Sequence, residues 1–111
     1  MITQDEYIAI HETILSLAQQ MLEVAEQRDE QQLAELEAVF SQQIDILKQY
    51  SPHMALNQQQ RTKVMTLVAE ILKCNHLLFN ITRPWQHELA LKISSLDTQQ
   101  KVQQAYNQHS D

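Results

Sequence analysis

Apolar residues recur along this chain at spacings of three and four, the period of an α-helix with one side turned inward. The first run is Tyr7, Ile10, Ile14, Leu17, Met21 and Val24, with Ile8, Leu15, Ala18, Leu22 and Ala25 beside it. Glu12, Ser16, Gln19, Gln20, Glu23 and Glu26 fall largely on the other side. Thr3 and Glu6 stand at capping-box spacing, so each can bond the other's amide and start a helix over about 4–27. Gln27-Arg28-Asp29-Glu30 breaks the run, and Asp29 can cap a second helix over about 30–50. That helix carries Leu33, Leu36, Phe40, Ile44, Leu47 and Tyr50 on one inward stripe, and Ser51-Pro52 stops it.

The third run differs in kind. Asn57, with Gln60 three residues on, is its candidate cap. Val64, Leu67, Ile71, Cys74, Leu78, Ile81 and Trp85 form one stripe, and Met65, Val68, Leu72 and Phe79 form a second beside it. An ordinary surface helix has one such stripe. Two stripes place this helix at the centre of a bundle or turn one of them toward a partner. The spacing continues through Leu89, Ile93 and Leu96, so Pro84 predicts a kink rather than a break in a helix over about 58–95.

Ser95-Leu96-Asp97 predicts a turn and cap, followed by a short helix over about 97–109 whose apolar content is Val102, Ala105 and Tyr106. The expected fold is all-α: an antiparallel bundle of three main helices plus a short C-terminal fourth, in one domain spanning residues 1–111. The weakly apolar fourth helix is expected to be the least stable element.

Composition narrows the function. A hydrophobic fraction of 43% supports a real core, and glycine is absent. Without it, phosphate-cradling loops and dinucleotide fingerprints lose their usual residue. The net charge of −6 opposes binding to a nucleic-acid backbone or an anionic membrane surface. The opening Met1-Ile2-Thr3-Gln4-Asp5-Glu6 lacks a basic, apolar signal region, and no uncharged apolar run approaches a membrane span. A soluble cytoplasmic protein is the expectation.

Candidate chemistry is sparse. His11, His53, His76, His87 and His109 include no pair at the i, i+4 spacing that sets two ligands on one helix face. Cys74 and His76 project about 200° apart on a helix, so no metal or other cofactor is expected, and Cys74 reads as a core residue. No nucleophile, base and acid arrangement is legible, so no enzyme is expected. Trp85 has two readings, a core aromatic beside Pro84 and an interface anchor, the first being the stronger. Met65, Val68, Leu72 and Phe79 read as an exposed patch for a partner, because a three-helix bundle surrounds no helix completely.

The ordered series Val64-x-x-Leu67-Val68-x-x-Ile71-Leu72, Cys74-Asn75-x-Leu77-Leu78 and Glu88-Leu89, with the tail Gln100-Lys101-x-x-x-Ala105-Tyr106, resembles the FliT family of flagellar type III export chaperones. Tyr7, Ile14, Leu17 and Ala18 extend the resemblance to the opening helix, and Pro84 departs from the uninterrupted third helix expected of the family. The resemblance implies binding of the C-terminal region of the filament-cap protein FliD. It also implies contact with the export ATPase complex and, in some members, inhibition of the master regulator FlhDC. Lys101, Val102, Ala105 and Tyr106 would then belong to a C-terminal helix that covers the binding surface. Two alternatives stay open: a chaperone for another flagellar export substrate, and a self-associating helical module using the same stripe for a homodimer.

Overall fold

A computed structural model describes the backbone of residues 2–51 and 54–108, with side chains as far as Leu96. Three helices follow in order: α1 (Gln4–Glu26), α2 (Glu30–Tyr50) and α3 (Gln58–Gln108). Among the described residues there is no strand. By its contacts the chain divides into two compact units, Met1–Phe79 and Asn80–Asp111.

Each helix of the first unit begins on a side-chain cap. Thr3 Oγ1 accepts from the Glu6 amide at 3.1 Å. Glu6 does not return the bond to an amide; its carboxylate takes the Thr3 hydroxyl at 3.3 Å instead. Asp29 Oδ1 accepts from the Gln32 amide at 3.1 Å. Asn57 and Gln60 complete a reciprocal box: Asn57 Oδ1 accepts from the Gln60 amide at 2.7 Å, and Gln60 Oε1 from the Asn57 amide at 3.0 Å. These bonds satisfy amide groups that a helix start leaves without intrahelical partners.

The α1–α2 turn is a Schellman motif, with the Arg28 amide donating to Ala25 O and the Asp29 amide to Val24 O, both at 2.9 Å. Arg28 takes φ 55°, the left-handed conformation this motif usually gives to glycine. Near the other end of the hairpin Tyr7 Oη lies 3.0 Å from Ser51 Oγ, so α1 and α2 run antiparallel. Gln4 reaches Ala55 O at 3.3 Å, and Lys63 pairs with Glu12 at 3.5 Å. The first part of α3 therefore runs beside α1 in the same direction.

The core centres on α1, not on α3 as its two stripes allowed. Tyr7, Ile8, His11, Ile14, Leu17, Ala18, Met21, Val24 and Ala25 are buried on α1, and Ile14 is 0% exposed. α2 buries Leu33, while Leu36, Phe40, Ile44 and Leu47 are half-buried. α3 contributes Ile71 and Leu78. α1 takes the middle because its apolar face carries Ile8, Ala18 and Ala25 beside the main stripe and is wide enough to pack against α2 on one side and α3 on the other.

The second unit is the continuation of α3. The expected turn at Ser95–Asp97 does not form, and no separate fourth helix follows among the described residues; α3 runs on to Gln108. Neither glycine nor proline stands at 95–97 to oppose the helix, and serine and aspartate are tolerated there at modest cost. Pro84 lies inside α3 with helix on both sides, so it does not break the run. Ile81, Thr82 and Trp85 are half-buried, and Leu89, Leu91, Ile93 and Leu96 are exposed.

Candidate functional site, an apolar groove on the first unit

The two stripes of α3 meet opposite fates. Ile71 and Leu78 are buried, with Val64, Leu67 and Cys74 half-buried on the same side. Met65, Val68, Leu72 and Phe79 are exposed, Met65 at 71%. The cause is angular: Leu72 follows Ile71 by 100° around the helix, which turns it off the buried face.

Val68 and Leu72 line a groove of about 360 Å³ whose walls come from all three helices of this unit. Phe40, Ile44 and Leu47 form the α2 wall, and Ile71 and Asn75 complete the α3 wall. His11 and Ile14 of α1 line it as well. Its surface is almost wholly apolar, so it can take apolar side chains from a partner. The half-burial of Phe40, Ile44 and Leu47 is thereby explained: these residues seal the hairpin on one side and face the groove on the other.

His11 is the buried polar side chain of this unit, 3% exposed. Its Nδ1 stands 3.0 Å from Tyr7 O, and its ring meets the Tyr7 ring edge to face at 4.8 Å. Ser51 donates to Leu47 O at 2.9 Å, which leaves its oxygen to accept from the Tyr7 hydroxyl. Among the described residues no three His, Cys, Asp or Glu side chains are placed to hold a metal ion.

Of the residues expected to bind a partner, Val68 and Leu72 line the groove, and Met65 and Phe79 lie on the same exposed stripe. Trp85 belongs to the second unit, where it is half-buried. The side chains of Lys101, Val102, Ala105 and Tyr106, with Pro52, His53 and His109, lie outside the described residues. Sequence reasoning missed His11 and Asn75, and counted Phe40, Ile44 and Leu47 as core alone. A signal existed for His11, which falls between Tyr7 and Ile14 on the inward stripe of α1.

By length and composition alone Gln58–Leu96 could cross a membrane. Its two apolar stripes meet that measure, but Glu70, Lys73, Asn75 and His76 interrupt it, and Ile71 and Leu78 are buried. A groove-bearing helical bundle is the better description.

No curated protein and no solved structure matches the chain. The family model described as "Flagellar protein FliT" matches residues 8–108, which takes in every wall of the groove and the whole exposed stripe. The chain belongs to the FliT family and is a flagellar export chaperone by that membership.

Proposed function

We propose that the chain is a cytoplasmic chaperone that holds the C-terminal region of the filament-cap protein FliD on the exposed stripe of α3 before export. The observation that supports this reading is the alternation of burial along α3, which leaves Met65, Val68, Leu72 and Phe79 more than a third exposed beside buried Ile71 and Leu78. An apolar stripe kept exposed on a folded unit serves a partner, because burying each such side chain contributes about 1.5–3 kcal/mol to association. The export ATPase complex and the regulator FlhDC are further partners on the same family grounds.

The tail bearing Lys101, Val102, Ala105 and Tyr106 is proposed to compete with the substrate. To cover residues of its own helix it has to leave the helical run, and Ser95–Asp97 is the place where it would do so. A cover favoured by one or two kcal/mol lowers apparent affinity about five- to thirtyfold.

Self-association is the second reading, favoured by the exposure of Leu89, Leu91, Ile93 and Leu96. Light scattering of the chain alone and with a FliD C-terminal fragment tests the two together. A one-to-one complex supports the chaperone reading. An oligomer that ignores the fragment supports self-association and overturns it.

A further inference from the structure

We propose that the groove selects its occupant through His11: it takes an amphipathic helix of the export substrate whose apolar face carries one hydroxyl or amide donor aimed at His11 Nε2. This rests on the reading of the groove as the substrate surface.

A carbonyl oxygen only accepts, so the 3.0 Å contact with Tyr7 O places the imidazole proton on Nδ1. With the single ring proton on Nδ1, Nε2 carries an acceptor lone pair. Tyr7 is itself held, since its hydroxyl donates to Ser51 Oγ and its ring packs against the imidazole. The ring is thus oriented from two sides. Nε2 has no hydrogen-bond partner among the described residues. Those residues contain no fully enclosed side-chain nitrogen or oxygen that lacks a partner, so Nε2 keeps some exposure, and His11 is one of the residues that line the groove. Asn75 brings a second polar group to the same groove from α3.

An occupant that covers Nε2 without bonding it strands a desolvated acceptor, and loses about five- to a hundredfold in affinity relative to one that supplies a donor. Serine, threonine, tyrosine, asparagine and glutamine supply it; a purely aliphatic face does not. Charge complementarity defines the other side of this helix. Residues 4–50 carry ten carboxylates against two basic side chains, so the polar edge that meets the hairpin is basic.

Phenol and toluene, nearly equal in shape, differ in that only phenol donates. Each is titrated into the full chain while the methyl resonances of Ile14, Ile44, Leu47 and Val68 and the imidazole nitrogens of His11 are followed by NMR. Phenol is expected to bind at least fivefold tighter than toluene and to move the Nε2 resonance, although toluene is the more hydrophobic. In His11→Leu the preference is expected to vanish. Equal binding of the two by the wild-type chain, a preference that survives His11→Leu, or no shift at the groove overturns the proposal. The wild-type comparison and the Nε2 resonance decide even if His11→Leu does not fold. Phenol preference without binding of the FliD fragment would keep the His11 site and sink the partner; fragment binding without the preference would do the reverse.

Discussion

Ile71 and Leu72 are adjacent in the chain, yet Ile71 is 8% exposed and Leu72 is 62% exposed. The first belongs to the core and the second stands over the groove. A single peptide step thus separates what folds the protein from what it offers to others, and the two roles can be separated by substitution. Ile71→Ala is expected to cost about 2–4 kcal/mol of stability, and Leu72→Ala less than about 1 kcal/mol. Urea denaturation of both variants checks the difference. Equal losses would mean that the outward stripe is part of the core.

The same logic ranks α1 above α2. Ile14→Ala removes a side chain with no exposure and is expected to cost about 3–5 kcal/mol. Leu36 is half-buried, so Leu36→Ala is expected to cost about half as much. Thermal melts of the two variants would show whether α1 is the central helix.

Arg28 gives an opposite prediction. It holds φ 55° where a Schellman turn favours glycine, and its contact with Glu30 is an exposed pair at 4.0 Å that contributes little. Arg28→Gly is therefore expected to raise stability by about 0.5–1 kcal/mol, the strain relieved outweighing the added freedom of the unfolded chain. A lower denaturation midpoint for the glycine variant would show that the arginine side chain contributes more to the turn than its backbone costs.

The reciprocal box at the start of α3 makes a local prediction. Asn57→Ala is expected to cost about 1 kcal/mol and to speed amide exchange at Gln60 and Arg61. Exchange that stays slow at both amides would mean that packing against α1, and not the cap, holds this end.

What was legible in the sequence followed from local chemistry. Asp29 and the Asn57–Gln60 pair form the expected bonds, because a cap is decided within four residues. The two stripes of α3 were equally legible, since periodicity is a property of one helix. Which helix occupies the middle was not, because that depends on how the hairpin closes, and α1 took the place that α3's apolar content had made plausible. The run of α3 past Asp97 was missed because serine and aspartate read as cap residues while nothing there forbids a helix. The groove itself needed three helices in register. His11 gave no local sign beyond its place on an apolar stripe, and Phe40, Ile44 and Leu47 looked like any inward face.

The central claim is that the outward stripe of α3 binds the export substrate while the inward stripe holds the fold. The most direct measurement is calorimetric titration of a FliD C-terminal fragment into the wild-type chain and into Leu72→Asp, with circular dichroism melts of both. A charge at an exposed position leaves the bundle intact but opposes burial of the partner's apolar face. The account predicts unchanged melts and affinity lowered at least tenfold in the variant. Equal affinity for both chains, or no binding to the wild type, would contradict it.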